Sequence, residues 1–169
     1  MGYLTEHACN NGTQARPLFL DGDGIHLDYS ADNNLIVNNT CCWNEDEGID
    51  VWTSSNNTIK RNEICENKDG GVDLICSSNT KIYLNNFVNN AGSKDRDSNI
   101  WNSPSKINYT YKGRNCTNYM GNYWCDYEGR DEDRDGIGDI PYHSGRDNYP
   151  LMERVEYYFV QKENIQMDG

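Results

Sequence analysis

The sequence predicts an all-β fold, a right-handed parallel β-helix in which coils of 23 residues stack about three to four deep. Three observations predict it. Residues of one type recur every 23 positions. Short segments with alternating apolar residues are separated by Ser, Asn and Gly clusters. The chain of 169 residues holds 24 Asn and is only 36% hydrophobic, too little for a thick core of stacked helices.

The repeat sets the elements in order. Asn33-Asn34, Asn56-Asn57 and Asn79-Thr80 stand 23 apart, as do Ile36, Ile59 and Ile82, then Asn39, Asn62 and Asn85, then Asn44, Asn67 and Asn90. Two further columns run Cys41, Ile64, Phe87 and Cys42, Cys65, Val88. Upstream, Gly24-Ile25-His26-Leu27, Gly48-Ile49-Asp50-Val51 and Gly71-Val72-Asp73-Leu74 align once a single residue is inserted in the first coil. Within a unit, Ile49 and Val51 alternate with Asp50 and Trp52, the period of a strand, and the Asn-rich turns oppose helices. Stacking at about 4.8 Å pairs each strand with its copy in the next coil. Inward Ile, Val, Leu and Cys then form apolar stacks. Asn columns at the corners bond amide to amide and accept left-handed backbone. Asn99-Ile100-Trp101-Asn102 opens a less regular fourth coil. The expected organisation is a lead or degenerate coil over 1–23, repeats over 24–125, an acidic loop and cap over 126–152, and a tail over 153–169, where Val155, Tyr157 and Phe159 alternate as in a strand.

With 15 Lys+Arg against 27 Asp+Glu the net charge is −12, so the surface repels a phosphate backbone and nucleic acid is excluded as a partner. Cations and neutral polymers suit it better. No run approaches the roughly 18 apolar residues of a membrane span. Residues 1–6 show neither the basic nor the apolar part of a secretory signal, which reads as a cytosolic protein or a piece of a longer exported chain. Triplets of the form N-x-[ST] begin at Asn11, Asn38, Asn56, Asn108 and Asn115, weak support for export in a chain this rich in Asn.

Asp131-Glu132-Asp133-Arg134-Asp135-Gly136-Ile137-Gly138-Asp139 places carboxylates at positions 1, 3, 5 and 9 with Gly at 6. A calcium loop wraps its oxygens round a hard cation in this order, with the Ile137 carbonyl at position 7. Position 12 is Tyr142, not the bidentate Glu of an EF-hand, and Asp126, Glu128 or Asp147 is the expected source of a further ligand. The bland alternative is a solvated acidic turn. A bound Ca²⁺ would be structural. With the aromatic run Tyr119, Tyr123, Trp124 and Tyr127 it would cap the strand edges at the end of the solenoid.

On the coils, stacking puts His26, Asp50 and Asp73 in one outward column beside Asp28, Trp52 and Ile75. Carboxylates on adjacent coils approach the roughly 5 Å separation of a retaining glycosidase pair, which makes His26, Asp50 and Asp73 the catalytic candidates. Asp28 and Trp52 are the ligand-contacting candidates. A routine solvated strand face is the simpler reading of the same residues. Seven Cys show no CxxC pattern, and zinc is not expected. Cys42 and Cys65 read as apolar rungs, and Cys116 with Cys125 as a pair able to bridge.

The unit G-[IV]-x-[LV]-x-x-S-x-N-x-x-I-x-x-N resembles the repeats of NosD-like proteins and of carbohydrate-binding and sugar-hydrolase-type (CASH) β-helix domains, clearest over residues 24–91. The stretch from Ile107 through Trp124 and Asp135-Gly136-Ile137-Gly138-Asp139 to Met152 resembles the ending of surface proteins of methanogenic archaea. Such proteins have more coils and a signal sequence, so the resemblance implies a C-terminal portion or a shortened paralogue on the cell surface. It also implies further coils or an oligomer as neighbours. The NosD name is associated with copper. His7, His26 and His143 are scattered and the four Met form no cluster, so the residues themselves do not support copper. The combined expectation is a non-catalytic module binding polysaccharide or another envelope component. A polysaccharide hydrolase or lyase is the alternative, and a structural spacer the second.

Overall fold

The computed structural model describes residues 22–142 and 146–160. The lead up to residue 21 with His7, Cys9 and the Asn11 triplet, His143, and the tail beyond Val160 lie outside them. Each coil contributes three short strands: β1 (Ile25–Asp28), β2 (Leu35–Val37) and β3 (Thr40–Cys42), then β4 (Glu47–Trp52), β5 (Thr58–Lys60) and β6 (Glu63–Cys65), then β7 (Gly70–Ile75), β8 (Lys81–Tyr83) and β9 (Asn86–Val88). All pairings between coils are parallel. The sheet orders are β1-β4-β7-β10, β2-β5-β8 and β13-β9-β6-β3, where β10 is Lys94–Asp95 and β13 is Tyr123–Trp124. Registers of 23 hold throughout the second sheet, as in Ile36↔Ile59↔Ile82, and among β3, β6 and β9 of the third. Ile25 pairs with Ile49, 24 residues on, so the inserted residue falls in the first coil.

Alternation decides what is buried. Ile49, Val51, Ile59, Ile64, Val72, Leu74 and Ile82 are fully enclosed. Phe87 carries that core to the far end, where Trp124 stacks on it at 4.2 Å and Tyr142 stacks on Trp124 at 4.6 Å. The Asn columns divide into two kinds. Asn33, Asn56 and Asn79 sit exposed at corners with φ near +60°, a conformation in which Asn is favoured among L-residues. Asn62, Asn67 and Asn85 are buried and form amide ladders: Asn39 Nδ2 donates to Asn62 Oδ1 (3.1 Å), Asn62 Nδ2 to Asn85 Oδ1 (3.0 Å), and Asn44 Nδ2 to Asn67 Oδ1 (2.8 Å).

The cysteines correct the expectation of apolar rungs. Cys41 is the inward residue of β3, while Cys42 and Cys65 lie on the outer side and form a disulfide across adjacent coils, Cα atoms 4.5 Å apart. Cys116 and Cys125 do not bridge; both are free thiols.

A fourth, partial coil follows: β10 pairs with β7, Ile100 bridges to Lys81, and β13 pairs with β9. Between Ile100 and β13 a hairpin is inserted, β11 (Ile107–Tyr111) with β12 (Arg114–Asn118), against which β14 (Tyr158–Val160) packs antiparallel. A single 3₁₀ turn occupies Val155–Tyr157, so the tail strand is shorter than its alternation predicts. Tyr109, Tyr111, Met120, Ile137, Leu151 and Tyr158 enclose a second core under this sheet. Asn122 extends the ladder, its Oδ1 accepting from Asn85 Nδ2 (2.9 Å), and the Asp147 carboxylate ends it by accepting from Asn122 N (2.8 Å). Among the described residues no helix is long and apolar enough to cross a membrane.

Candidate functional site

Two clusters of chemistry-bearing side chains stand out. The first is the column on the β1-β4-β7-β10 sheet. Register places His26 beside Asp50, Asp50 beside Asp73, and Asp73 beside Lys94. The column is as expected, but it is not a freely solvated face. Asp73 is 5% exposed and Trp52, beside it in the next column, 8%. Tyr29, 63% exposed, packs on Trp52 at 5.3 Å, so the ring nearest solvent is Tyr29.

His26 Nδ1 faces two carboxylates, Asp50 Oδ2 at 3.0 Å and Asp23 Oδ2 at 3.2 Å, and its Nε2 lies 3.8 Å from Asp28 Oδ2. Lys94 Nζ pairs with Glu47 Oε1 (2.9 Å) and reaches Asp73 Oδ2 (3.7 Å). Burial pushes the Asp73 carboxyl up to about 6 despite Lys94, with the Asp50 charge adding to the rise. Glu47 is pushed up to about 8, again by burial, which outweighs its ion pair with Lys94. Donor atoms of Asp23, His26 and Asp50 lie within 4.8 Å of one another, as do those of Asp23, Asp46 and Glu47. Sequence reasoning missed Asp23 and Glu47. Asp23 precedes its strand, and Glu47 reaches Lys94 across two coils.

The second cluster is the terminal loop. Oxygens of Asp131, Asp133 and Asp135 converge within 4.8 Å. Their carboxylates are held by backbone amides: Asp135 N donates to Asp131 Oδ1 and Asp133 Oδ1 (3.1 Å each), Gly136 N to Asp131 Oδ2 (2.9 Å), and Ile137 N to Asp135 Oδ1 (2.8 Å). Arg134 and Gly136 both take positive φ, which curls the chain round these oxygens. Arg114 donates to the Asp133 and Arg134 carbonyls, and Tyr109 to the Asp135 carbonyl, pinning the loop to the hairpin. Asp139 stands outside the trio, and its Oδ2 accepts from Glu132 N (2.7 Å). Ile137 buries its side chain in the second core, which leaves only its carbonyl as a donor to a cation.

Two expected auxiliary ligands are otherwise engaged. Asp126 accepts from the Tyr142 hydroxyl, and Asp147 is fully enclosed, accepting from Trp124 Nε1 (2.9 Å), Asn122 N and Tyr149 N. Burial raises Asp147 to about 6 against the pull of those donors.

A pH dependence follows from these groups. The folded pKa values of Asp73 and Asp147 (about 6) and Glu47 (about 8) lie above their ordinary values of 3.8 and 4.5. Between those limits the folded state holds more protons than the unfolded one, so stability falls as pH rises. In chelator, the melting temperature is expected to drop between pH 4.5 and pH 8, Asp147 alone contributing about 2 kcal/mol over that interval. A melting temperature that rises over that interval would contradict the burial of these carboxyls.

A family model described as periplasmic copper-binding protein (NosD) matches residues 1–129. Searches of curated proteins and of solved structures give no match. The matched segment takes in the three full coils and the partial fourth, and the chain belongs to the NosD family.

Proposed function

We propose that this chain is a non-catalytic solenoid module of an exported or cell-surface protein, that it binds polysaccharide or another envelope component, and that its 131–139 loop holds a structural Ca²⁺. The observation that carries the calcium reading is the convergence of three carboxylates already fixed by their own loop amides. Oxygen-only donors suit a hard cation. A family described as periplasmic and a disulfide between coils both favour an oxidising compartment. For the polysaccharide, Tyr29 over Trp52, with Asp28 alongside, supplies a ring platform and an acceptor for hydroxyls.

One observation favours the hydrolase or lyase reading: Asp73, protonated up to about pH 6, stands in register with Asp50 on the next coil. A glycan panel scored for both retention and turnover separates the readings. Retention without turnover, weakened at least fivefold in Tyr29→Ala, is the expected result. Turnover lost in the Asp50→Asn/Asp73→Asn double variant would establish the enzyme. Calcium is tested by thermal unfolding in chelator and in millimolar Ca²⁺. The melting temperature should rise by several degrees in the wild type and not in Asp133→Ala; equal curves would leave the loop an acidic turn.

The family description names copper. Among the described residues, sulfur donors do not gather: Met120 is fully buried, and no Cys joins a metal-competent group. A nitrogen and oxygen set does form, at Asp23, His26 and Asp50.

A further inference from the structure

We infer that Cys76 is bridged to Cys9 and that the outward face of the β1-β4-β7-β10 sheet is a docking surface for residues 9–20 of this same chain. The inference is independent of the polysaccharide and calcium readings.

The anchor follows from the cysteines. Cys76 is disulfide-bonded. Of the other six, Cys42 and Cys65 bridge each other, and Cys41, Cys116 and Cys125 are free thiols. That leaves Cys9 as the partner within the chain. Cys76 follows β7 at a corner with positive φ, in the third coil, whereas the lead joins the first coil at Gly22. Two coil spacings and one strand length separate those points, a diagonal of about 20–25 Å. The 13 residues 9–21 reach up to about 43 Å when extended, so the bridge is within range. Two thiols form it by giving two protons and two electrons to a disulfide oxidant of an oxidising compartment, whose own S–S bond opens to two thiols.

The burial pattern locates the docked segment. In β2, β5 and β8 the outward residues are exposed or half-buried, as on the outside of a solenoid. On β4 and β7 the outward Trp52, Asp73 and Ile75 are all buried. Neighbouring coils cannot account for this, because strands of one sheet lie side by side and leave outward side chains to whatever packs on top. Tyr29 and Lys94 shield part of Trp52 and Asp73. Ile75, an apolar side chain at the strand end that leads into Cys76, marks the path toward the bridge. The segment also has the composition this face requires. Residues 7–20 hold no Asp or Glu in a chain of net charge −12, and they include Arg16 and the apolar run Leu18-Phe19-Leu20. The face offers Asp50 and Asp73 as its acidic column and Trp52 with Ile75 as its apolar one. Tyr29, 63% exposed, stays open to a ligand at the margin.

The bridge is tested on the full wild-type chain, alkylated without reduction, unfolded and cut before each Asp. This cleavage yields fragments 1–20 and 73–94, each with one Cys. Mass spectrometry should find the two joined and should find them separate after reduction, with the uncut chain running as a monomer in denaturing gels. An alkylated Cys76, a different partner, or a linkage to a second copy overturns the inference. Hydrogen exchange then reads the docking. In the bridged wild type the amides of residues 10–20 should exchange at least about tenfold more slowly than in an unstructured chain. The Leu18→Asp/Leu20→Asp variant should lose that protection while keeping the bridge and the β-type circular dichroism of the solenoid. Wild-type exchange at the unstructured rate would mean a tether without docking and overturns the docked segment, whether or not the variant folds. Unchanged protection in the folded variant overturns it as well.

Discussion

Replacing Asn85 with Ala is expected to lower the melting temperature by roughly 10 °C, from a loss of about 4 kcal/mol at 2–4 °C for each. Asn85 is fully buried in the middle of the longest amide ladder. Its Oδ1 accepts from Asn62 N and Asn62 Nδ2, both at 3.0 Å. Its Nδ2 donates to the Ile59 carbonyl (2.9 Å), the Tyr83 carbonyl (3.2 Å) and Asn122 Oδ1 (2.9 Å). Truncation strips partners from the Asn62 amide and the Ile59 carbonyl where no water replaces them, at about 1–3 kcal/mol for each orphaned group. Asn79→Ala tests the specificity of this account. Asn79 is exposed at a left-handed corner, where its Nδ2 donates to Asn56 Oδ1 at the surface (2.6 Å), so its loss concerns backbone preference and one solvated hydrogen bond and should cost about 1 kcal/mol. Equal shifts for the two variants would show that the ladder does not hold the coils.

Removing the inter-coil disulfide should have the next largest effect. The Cys42–Cys65 bridge closes a segment with sequence separation 23, for which loop-closure entropy corresponds to about 3 kcal/mol and roughly 6–12 °C. The Cys42→Ser/Cys65→Ser double variant, compared with oxidised wild type, isolates this bridge from effects of a reductant on other thiols. Thiol counting before and after unfolding should find both sulfurs blocked in the wild type. If the double variant melts with the wild type, the bridge contributes nothing, and it no longer argues for an oxidising compartment. Cys41, buried on the inner side of the same strand, should stay unreactive until the coil opens.

Much of the solenoid was legible because each coil repeats one interior. Ile36, Ile59 and Ile82 had to stack once the period was known, and the extra residue in the first coil was visible as a break in alignment before Ile25↔Ile49 confirmed it. The Cys pair was read onto the wrong face for a definite reason. Cys41 and Cys42 are neighbours, so alternation puts one in and one out, and two Cys in one column fit either a packed rung or a bridge. The terminal trio Asp131, Asp133 and Asp135 followed from spacing, because a loop of that length brings its own residues together. Asp139 left the trio because the Glu132 amide captured it.

By itself the sequence determined the 23-residue period, the stacking partners and the acidic loop, all of which depend on residues at fixed separations along the chain. Only the tertiary structure decided that Asn122 and Asp147, outside the period, complete the amide ladder, and that Asp23, His26 and Asp50 meet at one point. Those contacts join a loop, a strand and the strand of the next coil. Their distances are set by how the coils pack and by the inserted residue, which no spacing within one coil records.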